Sequence, residues 1–99
     1  MFYPLFEVQA LHDGLCHPCQ AADKQLLVIH RQGQTFITDR FCPHQQFLLD
    51  QAVISDQLVL TCPRHQFHYQ LGSGDCFEAH FCLPHYQVVL QDGQVGVEL

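Results

Sequence analysis

Two short segments of this chain each place a cysteine close to a histidine. Cys42 and His44 form the first pair, and Cys62 and His65 form the second, with seventeen residues between the two segments. Along an extended segment, side chains separated by one residue point to about the same side, several ångströms apart. Each segment therefore offers one sulfur and one nitrogen ligand, and the fold has to bring the two segments together.

Prolines and glycines flank these candidate ligands. Pro43 and Pro63 directly follow the two cysteines. Each proline fixes a backbone angle and removes an amide donor, which stiffens a loop that must present its ligands in a fixed geometry. Gly72 and Gly74 permit a tight turn after the second segment.

Two kinds of metal centre use two thiolates and two imidazoles. A structural zinc ion takes all four ligands in a tetrahedral arrangement, whereas a two-iron cluster divides them between two metals. Zinc modules usually pair Cys-x2-4-Cys with His-x3-5-His, but here each segment mixes one cysteine with one histidine. The pattern favours an iron-sulfur cluster, and a zinc-stabilised interaction module is the alternative.

The second segment carries a resemblance to a known family. It continues as Cys62-Pro63-Arg64-His65-Gln66-Phe67-His68-Tyr69-Gln70-Leu71-Gly72-Ser73-Gly74. This run resembles the Rieske pattern Cys-Pro-x-His-Gly-x-x-Phe followed by a glycine turn, and the similarity extends over about the whole chain. It departs from the pattern at Gln66, where the family usually has glycine, and at Tyr69, where oxygenase ferredoxins usually have phenylalanine.

The resemblance implies a ligand set and one Rieske-type 2Fe-2S cluster per chain. Cys42 and Cys62 would bind one iron, and His44 and His65 would bind the other. The four side chains are thus both the metal ligands and the cofactor-binding residues. No catalytic residue is expected, because the sequence shows no recognisable nucleophile or acid-base pair.

The implied function is electron transfer rather than catalysis. The chain resembles a soluble ferredoxin that takes one electron from a flavin-dependent ferredoxin reductase. It would pass that electron to a terminal oxygenase, such as a ring-hydroxylating dioxygenase, or to another redox enzyme. The alternative within the same family is a small Rieske subunit held in a nitrite-reductase-like complex.

Three positions separate the soluble branch from respiratory Rieske proteins. The respiratory branch joins its ligand loops by a disulfide, at positions that here are Phe47 and Arg64, and it has a serine near a bridging sulfide where this chain has Phe67. Fewer donors to the cluster lower its reduction potential. The resemblance also implies that the Tyr69 hydroxyl donates to the sulfur of Cys42. The alternative is that Tyr69 is a core aromatic with its hydroxyl in water.

Short strands dominate the predicted secondary structure. We expect strands at 3–9, 26–31, 34–38, 58–61, 67–71, 88–91 and 94–99, with hairpin turns at Gln32-Gly33 and Asp92-Gly93. Such a pattern predicts an all-β fold, an antiparallel sandwich or small barrel. The resemblance adds a cluster-binding subdomain of two loops. Residues 1–99 would form one Rieske domain, with the insertion at about 41–76.

Charge limits the choice of partners. Four Lys plus Arg stand against ten Asp plus Glu, which gives a formal charge of −6. This balance disfavours nucleic acid and anionic membrane, and it suits a basic docking patch on a redox partner. The alternative is that the excess of acidic residues only maintains solubility. No apolar stretch approaches the ~20 residues of a membrane helix, and the first residues do not resemble a signal peptide. We therefore expect a monomeric cytoplasmic protein.

Four cysteines remain outside the predicted ligand set. Cys16 and Cys19 have thioredoxin-like spacing, but the segment lacks the helical period that such a motif needs. Cys76 and Cys82 are expected to be small buried apolar residues near the ligand loops.

Overall fold

The structure is a computed structural model that describes residues 1–43, 46–64 and 66–99. Within these residues the chain forms ten strands and one short 3-10 helix, Val8–Ala10. The strands are β1 (Phe2–Glu7), β2 (Leu15–Ala21), β3 (Lys24–Arg31), β4 (Gln34–Asp39), β5 (Val53–Ile54), β6 (Val59–Thr61), β7 (His68–Gln70), β8 (His85–Tyr86), β9 (Val89–Gln91) and β10 (Gln94–Glu98).

The strands form three antiparallel sheets. Their orders are β1-β10-β9, β2-β3-β4-β8 and β5-β6-β7, and every pairing within them is antiparallel. The prediction of an all-β antiparallel fold is therefore confirmed. No helix among the described residues is long and apolar enough to cross a membrane.

Strand β3 lies between two hydrophobic cores. Leu26, Leu27, Val28 and Ile29 are all fully buried, because alternate side chains of a strand point to opposite faces. One face contributes to a first core made of Leu27, Ile29, Cys42, Leu49, Leu60, Cys62, Tyr69, Leu71 and Leu83. The other face contributes to a second core made of Leu15, Ala21, Leu26, Val28, Ile37, Val95 and Val97. Both predicted cysteine ligands belong to the first core.

Two hairpin turns have the backbone conformation that their sequences predict. Gln32 and Gly33 have φ values of 54° and 75°, and Asp92 and Gly93 have values of 52° and 76°. Two successive residues with positive φ are characteristic of the type I′ turn, whose twist matches that of the flanking strands. These turns join β3 to β4 and β9 to β10.

The sequence analysis missed three strands and placed the end of one strand two residues too late. Strand β2 contains Pro18, which argues against a central strand, but β2 lies at an edge of its sheet, where proline is tolerated. Strands β5 and β8 have two residues each and carry too little pattern to detect. Strand β1 ends at Glu7 rather than at residue 9, because the 3-10 helix begins at Val8.

Strands β5, β6 and β7 make up the third sheet, which follows the first cysteine segment in the chain. Cys42 precedes this sheet, and Cys62 lies between β6 and β7. The single domain at 1–99 and the insertion at about 41–76 stay predictions.

Gly96 is a point at which the fold tolerates no side chain. A Cβ atom there would lie 2.1 Å from the carbonyl oxygen of Tyr3 and 2.9 Å from the ring of Phe2. We expect Gly96→Ala to lower the free energy of unfolding by about 1–3 kcal/mol, because β1 must move away from β10. Urea unfolding measures this loss.

Gly93→Asn is the matched control for that substitution. A Cβ at Gly93 meets nothing within 4 Å, and asparagine tolerates a positive φ. Equal unfolding midpoints for the two variants would contradict the close approach of β1 to Gly96.

Candidate metal centre

Both predicted cysteine ligands are buried in the same core. Cys42 and Cys62 are each 0% exposed and belong to the first core. Cys42 follows Phe41, which forms an isolated bridge with Leu48, and Cys62 directly follows β6. Two short strand pairings therefore present the two sulfurs to one apolar interior.

The two cysteine turns, residues 42–47 and 62–67, share one hydrogen-bonding pattern. In each turn the cysteine N–H donates to the carbonyl of the phenylalanine five residues later, at 2.7 Å for Cys42 and 2.8 Å for Cys62. The cysteine carbonyl accepts from the N–H of the glutamine four residues later, at 2.7 Å and 3.0 Å respectively. The sequence analysis assumed extended ligand segments, whereas these hydrogen bonds join the described residues of each segment in a turn.

Each turn includes a glutamine in the left-handed region. Gln46 has a φ of 55° and Gln66 a φ of 59°, a conformation that glycine adopts without strain. This explains why the resemblance places glycine at position 66. Both glutamines are exposed, so the Gln66 side chain does not occupy the buried interior.

The two predicted histidine ligands, His44 and His65, lie outside the described residues. Within the described parts of the chain, no group of three or more His, Cys, Asp or Glu side chains is placed to hold a metal ion. The assignment of His44 and His65 as ligands stays a prediction from the sequence.

The hydroxyl of Tyr69 reaches the first cysteine. Its oxygen lies 3.1 Å from the Sγ atom of Cys42, and Tyr69 is fully buried. Burial raises the pKa of Tyr69 above its ordinary value, and the hydrogen bond to Cys42 raises it further. Because a metal-bound cysteine is a thiolate without a proton, only the tyrosine can then donate. The predicted hydroxyl–sulfur contact is confirmed, and a hydroxyl in water is wrong.

Three aromatic rings pack together at the core that contains the two sulfurs. Phe67 stacks on Phe81 with ring centroids 5.8 Å apart and planes inclined by 16°. Tyr69 packs against the same Phe81 ring at 6.4 Å. Phe67 has no side-chain donor, so it cannot replace the serine of the respiratory branch.

The glycine turn after β7 lies against the backbone of Leu83. Gly74 has a φ of 79°, and a Cβ there would lie 2.3 Å from the carbonyl oxygen of Leu83. The Leu83 N–H in turn donates to the Gly74 carbonyl at 2.8 Å. The predicted role of this glycine in a tight turn agrees with both observations.

Phe47 and Arg64 face each other across the two cysteine turns. The guanidinium carbon of Arg64 lies 5.5 Å from the centroid of the Phe47 ring. These are the positions at which the resemblance places the respiratory disulfide. Neither residue carries a thiol, so that disulfide cannot join the two turns.

Cys16 and Cys19 do not form a redox pair. They lie on β2 rather than at a helix start, and their side chains pack against different cores, Cys16 on the first and Cys19 on the second. Burial raises the pKa of each thiol to about 11, with Asp50 adding to the effect at Cys16. Both thiols are therefore protonated and unreactive near neutral pH.

Cys76 and Cys82 differ in their environments. Cys76 is partly buried against the first core, as predicted. The prediction that Cys82 is buried is wrong, because its side chain is exposed and donates to the Asp75 carboxylate at 3.4 Å. Cys82 pairs with Asp75 in an isolated bridge at the surface, so it faces away from the core.

Residues 1–86 match the Rieske 2Fe-2S domain family, and the chain belongs to it. Membership implies one Rieske 2Fe-2S cluster per chain. Two buried thiols on matched turns supply the sulfur half of such a donor set, so the described residues fit the group. The match does not support the zinc-stabilised alternative.

Several known proteins are similar to this chain. The ferredoxin component of an alkene monooxygenase system from Xanthobacter autotrophicus is 25% identical over 89 residues, which cover 89% of this chain and 73% of the relative. A ferredoxin structure from Sphingomonas yanoikuyae B1 has a TM-score of 0.87 at 24% identity and covers 100% of this chain and 99% of its own.

Two further solved structures share the fold. A chain in the complex of reduced oxygenase and oxidized ferredoxin of carbazole 1,9a-dioxygenase has a TM-score of 0.83 at 18% identity, with coverage of 97% and 100%. A protein described as an NADH-dependent nitrite reductase small subunit from Mycobacterium tuberculosis has a TM-score of 0.86 at 14% identity, with coverage of 98% and 93%. At these identities the structures establish the fold.

Proposed function

We propose that this chain is a one-electron carrier, a ferredoxin that serves an oxygenase system. Cys42 and Cys62 bind one iron of the cluster, and His44 and His65 bind the other. The observation that carries the proposal is the pair of buried sulfurs on matched turns, with a tyrosine hydroxyl 3.1 Å from one of them. A buried, hydrogen-bonded sulfur pair suits a redox centre, because such contacts tune its potential.

The bound cluster supplies one-electron redox chemistry, and the protein side chains set its potential. The Tyr69 hydroxyl raises the potential by donating to Cys42, since it stabilises the more negative reduced state. The Phe67 side chain has no hydrogen-bond donor, and the disulfide of the respiratory branch cannot form because its positions are Phe47 and Arg64. We place the potential in the lower part of the Rieske range of roughly −150 to +300 mV.

The proposed partners are inferred from the proteins that are similar to this chain. The alkene monooxygenase relative is a ferredoxin component, and the carbazole dioxygenase structure pairs a ferredoxin with an oxygenase. We propose a terminal oxygenase as electron acceptor and a flavin-dependent reductase as donor. The formal charge of −6 suits a basic docking patch on either enzyme. We further propose that the carrier is monomeric and cytoplasmic.

A bound subunit is the second candidate function. The fold matches a nitrite reductase small subunit about as well as it matches free ferredoxins, with TM-scores of 0.86 and 0.87. A subunit would stay in its complex, whereas a carrier must dissociate to shuttle electrons between two enzymes. The two candidates therefore differ in whether the native protein is a free chain or part of a stable complex.

Two measurements test the proposal: size-exclusion chromatography of native extract, and the number of electrons that each chain transfers to cytochrome c. We expect the protein to elute as a free chain near its mass of 11.4 kDa. After reduction with dithionite and desalting, each chain should reduce one equivalent of cytochrome c. Stable elution with a larger complex would support the subunit, and a protein that transfers no electron would contradict both candidates.

A further inference from the structure

The side chains of Arg64 and Phe47 connect the two cysteine turns at the surface. The guanidinium carbon lies 5.5 Å from the ring centroid, which is within the distance of a cation–π contact. Arg64 lies two residues after Cys62, and Phe47 lies five residues after Cys42. The contact therefore joins the two segments that carry the sulfurs.

Each end of this contact is tied to a cysteine through the backbone. The Phe47 carbonyl accepts the Cys42 N–H at 2.7 Å, and the Phe47 ring packs against the first core. Arg64 lies inside the turn that the Gln66 N–H closes on the Cys62 carbonyl at 3.0 Å. A displacement of either side chain is thus transmitted to a sulfur-bearing residue.

No carboxylate among the described residues competes for Arg64. Arg31 pairs with Asp13 and Asp56, and Arg40 pairs with Asp50. The ion pairs of the described residues do not include Arg64, and its side chain is exposed. Within this part of the chain, the Phe47 ring is the group that orients the guanidinium.

We propose that Arg64 and Phe47 are a positioning pair that fixes the spacing of the two cysteine turns and holds a positive charge beside the cluster. The proposal rests on the proposed function, because it assumes that Cys42 and Cys62 bind one cluster. From the buried side, the Tyr69 hydroxyl on β7, the strand directly after the second turn, reaches Cys42 of the first turn. From the solvent side, the Arg64–Phe47 contact links the two turns.

Two effects follow from this role. Loss of the contact lets the turns separate more easily, so the cluster dissociates faster. Loss of the Arg64 charge also lowers the reduction potential, because a nearby positive charge stabilises the more negative reduced state. A side chain that serves only the stability of the apoprotein would not change the potential.

The variants Arg64→Gln, Phe47→Leu and their combination test the contact through the loss of visible absorbance in the presence of a chelator. We expect each single variant to lose the cluster about two- to fivefold faster than the wild type. The double variant should lose it no faster than the singles, because both substitutions remove one shared interaction. Rates that multiply in the double variant would overturn the proposal.

Lys24→Gln is the matched control for these variants. Lys24 lies 5.9 Å from the ring of Tyr86, so the substitution removes a positive charge and a cation–π contact outside the cysteine turns. We expect its rate of cluster loss to equal that of the wild type. A rate raised as much as in Arg64→Gln would overturn the specific role of Arg64.

Voltammetry supplies the second readout. We expect a lower potential in Arg64→Gln and a potential close to the wild type in Arg64→Lys, which keeps the charge. An unchanged potential in Arg64→Gln would overturn the charge effect. A wild type that binds the cluster while all variants match it would overturn only this inference, whereas a wild type without iron would overturn the proposed function as well.

Discussion

The Cys62→Ala variant is expected to be purified without its cluster. Cys62 is fully buried in the first core and provides one of the two proposed sulfur ligands. Alanine fills part of the same volume but cannot bind iron, and water cannot enter the apolar site as a replacement ligand. Iron analysis should fall from about two atoms per chain, the content of one 2Fe-2S cluster, to a trace.

Cys19→Ala is the matched control for this loss. Cys19 is a partly buried thiol that packs against the second core, on the other face of the central sheet. We expect this variant to keep its iron and its visible absorbance. Full iron content in Cys62→Ala, or equal loss in both variants, would contradict the assignment of Cys62 as a ligand.

The Tyr69→Phe variant is expected to have a lower reduction potential. Phenylalanine keeps the buried ring but removes the hydroxyl that lies 3.1 Å from the Sγ atom of Cys42. A hydrogen bond to a charged acceptor contributes about 1.5–3 kcal/mol, and part of this differs between the redox states. With 59 mV per tenfold change in a one-electron equilibrium, we expect a decrease of roughly 30–100 mV.

Tyr86→Phe is the control for the effect of removing a tyrosine hydroxyl. The Tyr86 hydroxyl donates to the Asp39 carboxylate at 2.5 Å, on the β4–β8 side of the fold. Protein-film voltammetry should give this variant the potential of the wild type. An unchanged potential in Tyr69→Phe, or equal decreases in both variants, would show that the hydroxyl does not act on the cluster.

The sequence predicted those strands whose local pattern of apolar residues and turn residues matches their place in the fold. Strands β3, β4 and β10 carry apolar residues next to tight turns, and their predicted bounds differ from the structure by at most two residues. Strand β2 was missed because proline, cysteine and histidine carry little β-strand signal. Its existence depends on seven residue pairs with β3, a tertiary factor that no local pattern contains.

The sequence singled out the two proposed sulfur ligands but not the contacts between their turns. Spacing singled out Cys42 and Cys62, and the structure places both in one core. The resemblance suggested the Tyr69 contact, which depends on the tertiary fold because it joins residues 27 positions apart. The contact between Phe47 and Arg64 was not predicted, because residues seventeen positions apart meet only when both turns are folded.

Electron paramagnetic resonance of the dithionite-reduced wild-type protein examines the mixed sulfur and nitrogen coordination. We expect one unpaired electron per chain with hyperfine coupling to imidazole nitrogen, because the proposal assigns His44 and His65 to the iron that is reduced. A protein without a signal after reduction, or a signal without nitrogen coupling, would contradict a cluster held by these two cysteines and two histidines.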